Sequence, residues 1–413
     1  MRTPPICLPP AMAPIAIALL LGTPVARADG FSATDIQASG GDESRAASAT
    51  VSALAADDAP DTRLRTLGKA EKPRFEIPEI TWPAAPGEAE ICLWKDDRYA
   101  AISITIDDNC RPDHDWWLAQ AEKHGFKLTW FVITDHVDGR NSGFNGTWAD
   151  WQRLADAGHS IQSHTTNHRS APKDGPAIPD EDVHAMYRDS LAAINAHVTN
   201  NVACCIAYPR GETHREIAAQ YAIACRGVYG APSEANTVDY LNVNEGNYDQ
   251  GYINALLGEP ADEPKWLNKA DRRYRRGWCA VLHHLVHHGR TQDEIDKSVA
   301  HYERKLANLA TYKDRIWIGT FPAVAKYGQE RDTATLATVS SDAERIVLSL
   351  ADRMDDTLFD EPLTLKVRLP DAWRAVRATQ GGTPVPAAFV EHDGAPYALV
   401  DAIPDRGELA LAK

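Results

Sequence analysis

The chain has 413 residues, 44% of them apolar, and its 43 basic and 58 acidic side chains leave a net charge of −15. That length exceeds one ordinary domain, and the apolar share is ample for packed cores. So large an acidic excess repels nucleic acid and anionic membranes, which excludes binders of either that rely on a basic surface.

The N-terminus has its own texture. Arg2 precedes an apolar run, Met12 to Leu21, and Ala26-Arg27-Ala28 follows. A charged start, an apolar centre and a small-x-small site read as a secretory signal over residues 1–28. Its removal takes away Arg2 and Arg27 and no acid, so the mature charge is −17. No later stretch is apolar enough to span a bilayer, so no membrane insertion is expected after cleavage. Cys7 leaves with the signal, and Cys92, Cys110, Cys204, Cys205, Cys225 and Cys279 remain. An even count in an exported protein permits disulfides, and buried free thiols are equally compatible.

Residues 29–80 are rich in Ala, Ser, Asp, Gly and Pro and lack sustained periodicity, which reads as a flexible linker. From about 97, apolar strand-like runs alternate with amphipathic helical ones. Tyr99–Ile106 reads as a buried strand. Asp113–His124 reads as a helix stopped by Gly125. Lys127–Ile133 is strand-like. Thr147-Trp148-Ala149-Asp150 is a capping box for a helix that runs to Gly158. A strand at His159–His164, a helix at Pro179–Val198, a strand at Val202–Tyr208, a short helix and a strand at Tyr221–Cys225 follow. Residues 230–276 carry no clear pattern.

Trp278–His283 is strand-like again. Thr291-Gln292-Asp293-Glu294 is a second capping box, and Ile295, Val299, Tyr302, Leu306 and Leu309 form one helical face after it. Ile316–Thr320 reads as a strand, with a short helix to about Tyr327. Such alternation predicts a parallel sheet, open or closed into a barrel. After about 335 the texture becomes antiparallel. Short runs at Arg345–Leu350, Leu363–Leu369, Ala375–Thr379, Ala387–Val390 and Tyr397–Val400 are separated by turn residues, which predicts a small β-sandwich-like domain over 335–413.

The reactive residue types fall at strand ends. Asp107-Asp108-Asn109 ends the first barrel strand, His164-Thr165-Thr166-Asn167-His168 the third, Tyr208-Pro209-Arg210-Gly211 the fourth, and Leu282-His283-His284 a late one. In a β/α barrel the C-terminal strand ends share the face where active sites are built. Two adjacent aspartates repel, so they need a cation or a proton between them. One of the pair can bind a metal while the other faces substrate. His164 and His168, four apart, can reach one ion from a helical turn or a tight loop, and Asp108 completes three ligands. Two imidazoles and a carboxylate suit Zn²⁺, or Co²⁺, Fe²⁺ or Ni²⁺. His283 after an apolar strand is a candidate general acid. The run His283-His284-Leu285-Val286-His287-His288 is also compatible with a second metal site or a solvated loop.

These motifs resemble those of the polysaccharide deacetylases that share the NodB homology domain, carbohydrate esterase family 4. Thr105-Ile106-Asp107-Asp108-Asn109 stands where the family has Thr-Phe-Asp-Asp-Gly. His164 to His168 matches His-Ser/Thr-x-x-His, and Leu282-His283 stands for the late Leu-His motif. Trp317-Ile318-Gly319-Thr320 and Lys326-Tyr327 are similar to the family's closing residues. The resemblance covers roughly residues 95–330.

It implies a distorted (β/α) barrel, here a catalytic domain over 81–330. It implies Asp107 as base, Asp108, His164 and His168 as metal ligands, and His283 as acid. The implied activity is removal of N- or O-acetyl groups from an acetylated polysaccharide or oligosaccharide, in the periplasm or outside the cell. Two departures stand out. Ala207 occupies the position of the family's third-motif arginine, and Arg210 or Arg226 could supply the cation that steadies the base instead. The fourth motif, Asp-x-x-Asp-Trp, has no clean match. The backbone N–H of Arg210 is the candidate oxyanion donor. A small-amide hydrolase on the same barrel and a non-catalytic carbohydrate-binding protein are the competing readings.

Overall fold

The computed structural model describes residues 63–69, 82–139, 141–173, 175–228, 230–235, 237–259 and 274–413. All of them lie in one compact unit, Pro60–Lys413. The expected signal, residues 1–28, and most of the expected linker lie outside the described residues.

In chain order the first half comprises β1 (Ala89–Ile91), β2 (Ala100–Ile106), α1 (His114–His124), β3 (Thr129–Val132), α2 (Ser142–Asn145), α3 (Trp148–Asp156), β4 (Ser160–Ser163), α4 (Asp180–His197) and β5 (Cys205–Ala207). Then come α5 (Arg215–Ala218), β6 (Ala224–Arg226), β7 (Glu245–Gly246), α6 (Gln250–Leu257), β8 (Trp278–His283), α7 (Gln292–Ala310), β9 (Ile316–Ile318) and α8 (Phe321–Thr333). The strands β6-β5-β4-β3-β2-β8-β7 lie side by side in that order, all parallel, and β9 joins the start of β2. A bridge between Arg226 and Val243 links the two ends of the sheet. The result is a nearly closed, distorted β/α barrel, as the alternation predicts.

Local chemistry explains the boundaries. All seven residues of β2 are buried, because a parallel strand in a barrel is covered on both faces. Gly125, at φ 73°, closes α1 and donates its N–H to the carbonyls of Ala121 and Glu122, in a conformation that costs glycine little. Both expected capping boxes form, Thr147 with Asp150 and Thr291 with Glu294. Helix α8 runs to Thr333, beyond the expected end near Tyr327. Its polar second half reads as surface, but it is buried: Arg331 donates to the Leu93 and Ala235 carbonyls at 2.6 and 2.8 Å. Gly328 is obligatory there, since a Cβ would stand 2.4 Å from the Tyr240 hydroxyl.

The remaining strands are β10 (Thr335–Ser341), β11 (Arg345–Ala351), β12 (Leu363–Arg368), β13 (Arg377–Gln380), β14 (Thr383–Val385), β15 (Ala387–His392), β16 (Ala395–Ala402) and β17 (Leu409–Ala412). They form two antiparallel sheets, β1-β12-β16-β15 and β10-β11-β17-β13-β14. Ala89–Ile91, ahead of the barrel in sequence, is therefore a strand of the C-terminal half. Trp373 is fully buried and donates its Nε1–H to the Ala343 carbonyl at 2.7 Å, so it packs the core. One apolar cluster runs from the barrel (Phe131, Trp278, Phe321) into both sheets (Leu348, Leu365, Leu409). Residues 63–69, inside the expected linker, are also packed. Arg63 and Leu64 bond to the β10–β17 half, and Thr66 and Leu67 to Ile223 and Gln329. The six cysteines among the described residues are buried free thiols.

Candidate active site

The site is built on the loops that follow β2, β4, β5, β6 and β8. After Ile106 the chain turns through three consecutive residues with left-handed backbone, Asp108 (φ 57°), Asn109 (φ 65°) and Cys110 (φ 36°). Asn109, standing where the resembled family has glycine, holds this turn with its side chain. Its amide donates to the carbonyls of Ile133 and Asn145 at 3.3 and 3.0 Å and accepts from the Ile133 N–H at 2.8 Å. His114 donates to the Asn109 carbonyl at 3.1 Å from a box formed by Trp130 and Trp151.

His164 leaves β4 with its Nδ1 2.9 Å from the Ala207 carbonyl. A carbonyl only accepts, so Nδ1 carries the hydrogen and Nε2 presents its lone pair. That Nε2 lies 3.5 Å from Asp107 and 3.6 Å from Asp108. His168 brings its own Nε2 to 3.7 Å from Asp108. The two histidines converge through a tight loop rather than a helix. Thr165 and His168 both have positive φ, and the His168 N–H bonds to the Thr165 hydroxyl at 3.0 Å.

Donor atoms of Asp108, His164 and His168 all lie within 4.8 Å of one another. Burial, with His164 second, lowers the pKa of His168 and favours the neutral, ligating form. One oxygen each of Asp107 and Asp108 is buried without a hydrogen-bond partner. Orphaned carboxylate oxygens beside two imidazoles fit a divalent cation.

Asp107, almost fully buried, is paired through Oδ2 with the fully buried Arg226. Burial pushes its pKa up, but the Arg226 guanidinium, with His164 and His284, holds it below the usual carboxylate range. The missing third-motif cation thus comes from the end of β6, the neighbour of β5. Arg210 sits in the turn Pro209–Gly211 at φ 53°, and its charge reaches His168.

The structure does not bring His283 into this group. Residues of a barrel strand alternate between interior and helix-facing sides. Trp278 and Ala280 join the interior with Ala101 and Phe131, whereas Cys279 and Val281 pack outward with Ile104 and Ile106. His283 pairs in register with Ile106 and shares its outward face. Its ring lies 5.2 Å from those of Trp117 and Tyr302 and 5.5 Å from Tyr248. Burial, then Lys305, lowers its pKa to about 3. The next residue turns inward. His284 places Nε2 3.5 Å from Asp108, with half of its side chain exposed to the mouth. The signal was legible: His284 follows Leu282 by two and continues the parity of Trp278 and Ala280 just past the end of β8.

Two further residues escaped the motif reading. Glu245 on β7 is half-buried, and its pKa is raised, chiefly by burial, while it feels the charges of Arg226, Asp107 and His284. Asp113 is fully buried and grips the loop after β8. The histidine run forms no second metal cluster among the described residues: His287 pairs with Asp113 and His288 with Ser298.

Residues 95–225 match the family model described as polysaccharide deacetylase. A gellan lyase from Bacillus sp. is 37% identical over 345 residues, covering 80% of this chain and 13% of that protein. The chain therefore corresponds to a small part of that relative's length. The deacetylase PplD of Streptococcus pyogenes, solved with acetate, is 23% identical over 34% of this chain and 62% of its own, with a TM-score of 0.29. The Xyl-CE4 domain of a multidomain xylanase from the hindgut metagenome of Trinervitermes trinervoides is 15% identical over 55% of this chain and 89% of its own, with a TM-score of 0.35.

Proposed function

We propose, from the match of residues 95–225 to the polysaccharide deacetylase model, that the chain is a metal-dependent hydrolase releasing acetate from an acetylated glycan. The observation that carries this reading is the convergence of Asp108, His164 and His168 beside a buried, arginine-paired Asp107. Asp108 and the Nε2 atoms of His164 and His168 would hold the ion, zinc by donor type, with cobalt, nickel and iron also suited. When bound, it polarises the acyl carbonyl and lowers the pKa of water.

The protein's own residues do the rest. Arg226 occupies Asp107 Oδ2 and keeps the carboxylate ionised, leaving Oδ1 to take the water's proton. The hydroxyl joins the acyl carbon, and the bond to the sugar nitrogen or oxygen breaks. His284, on the site face, protonates the departing atom. We assign it this role in place of His283, which faces the helices. The N–H of Arg210 is the candidate donor to the oxyanion.

The glycan target is supported by the likeness to part of a gellan lyase. Export to the periplasm or beyond is supported by the signal pattern of residues 1–28. Acetate release should be measured on penta-N-acetylchitopentaose, peptidoglycan and acetylxylan, with chelator and with added zinc. Zinc-dependent release from one of them is the expected result. Zinc uptake without release would favour a small-amide hydrolase, and neither uptake nor release a carbohydrate-binding protein.

A further inference from the structure

The loop that follows β8 has to hold His284 against Asp108, yet it contains no helix or strand of its own between His283 and Gln292. Its anchor comes from elsewhere. Asp113 stands five residues after Asp108, on the same loop, and its carboxylate is fully buried. One oxygen accepts the backbone N–H of Val286. The other accepts the His287 N–H at 3.2 Å and the His287 imidazole Nδ1–H at 2.5 Å. Trp116 packs edge-on against the His287 ring, 6.0 Å between centroids. The same residue is tied to α7 by Ser298, which donates to the Val286 carbonyl at 2.7 Å.

Three donors converge on two oxygens, which only a carboxylate satisfies. An amide in its place would turn its own N–H₂ toward an N–H. Charge-assisted bonds of this kind are about twice as strong as neutral ones, and a buried carboxylate stripped of them is costly.

We propose that Asp113 and His287 form a positioning pair that couples the loop bearing Asp107 and Asp108 to the loop bearing His284, fixing the proton donor over the reacting bond. The pair touches neither substrate nor ion and acts through His284. The proposal rests on the deacetylase reading. Losing the pair therefore harms proton delivery to the leaving group more than it harms the ion or the base.

The test compares two leaving groups. A sugar amine or alkoxide needs a proton to depart, whereas the nitrophenolate of 4-nitrophenyl acetate does not. Asp113→Asn and His287→Ala should lower kcat roughly 10–100-fold on penta-N-acetylchitopentaose or acetylxylan, whichever the wild type deacetylates, because an ångström of misplacement costs about that much. KM and zinc affinity should stay within about threefold, since the pair binds neither. The loss on 4-nitrophenyl acetate should be at least about tenfold smaller than on the glycan. His287→Asn keeps a donor near the place of Nδ1 and should recover much of the rate that His287→Ala loses.

Equal losses on both substrates, or no loss in either variant, would overturn the pair while leaving the deacetylase reading intact. Failure of the wild type to release acetate from either glycan would overturn the deacetylase reading, and the pair with it. Should Asp113→Asn fail to fold, the His287 variants carry the comparison, because that side chain is one-third exposed.

Discussion

Among the described residues, two places bring three metal-ligating groups together, and one of the two has the features of a metal site. Asp108, His164 and His168 converge at the barrel rim, and Asp352, Asp356 and Asp405 converge in the loops after β11 and β16. In the second cluster a cation is already present. Arg63 lies 2.9 Å from Asp405, 3.9 Å from Asp352 and 4.0 Å from Asp356, and it donates to the Asp352 carbonyl at 2.8 Å. At the rim the arginine stands behind the site, bonded to one oxygen of Asp107, and buried oxygens of Asp107 and Asp108 are left without partners. Donor convergence alone therefore does not define a site. What matters is whether the protein itself satisfies the donors.

The largest expected effect separates the clusters outright. Asp108→Ala or His164→Ala should lower zinc affinity by more than about 100-fold, the upper range for losing a mere supporting residue. Asp352→Asn should leave it unchanged. Equilibrium dialysis against zinc measures both, and a loss with Asp352→Asn would break the distinction.

Next in size is the pair of adjacent histidines. His284→Ala should lower kcat on an acetylated glycan by roughly 10²–10⁴-fold, the usual contribution of a positioned proton donor. His283→Phe, on the other face of the strand, should cost less than about tenfold. The reverse ranking would mean that strand parity misassigns the acid.

The two arginines sharpen the comparison through stability. Arg226→Ala leaves a buried carboxylate unpaired and should cost about 3–5 kcal/mol in urea unfolding. Arg63 is partly exposed, so Arg63→Ala should cost about 0–1 kcal/mol. Similar losses would show that burial does not govern the difference.

The smallest effect is a pH dependence. His283 has its folded pKa lowered to about 3 by burial. Its contribution is present above the unfolded value near 6.5 and is lost as pH falls toward 3. Relative to wild type, His283→Phe should therefore gain about 1 kcal/mol between pH 7.5 and pH 5.5. Urea midpoints at those two values would reveal it, and an unchanged gap would mean that His283 takes up protons in the folded state.

Much of this arrangement was legible in the sequence. Strand-like runs such as Ile102–Ile106, two capping boxes and Gly125 place the barrel elements, because each rests on local chemistry that the structure retains. Asp108, His164 and His168 follow from spacing at strand ends. What escaped depends on contacts between distant segments. The choice of Arg226 over Arg210 as the partner of Asp107 rests on a contact across 119 positions, and Asp113 reaches Val286 across 173. Glu245 lies on a two-residue strand too short to show periodicity. Ala89–Ile91 joins a sheet whose partner strand is β12, a pairing that no local pattern encodes. Between the adjacent histidines, the motif match points to His283 and strand alternation to His284, the assignment proposed above.

The central claim is that acetate release depends on one ion held at the barrel rim. The most direct test adds zinc in steps to metal-free protein and follows acetate release from penta-N-acetylchitopentaose, acetylxylan and peptidoglycan. The expected result is a rate that climbs from near zero and saturates at about one equivalent per chain, with no such rise in His164→Ala. Release that is fully present without metal, or that rises equally in His164→Ala, would contradict it.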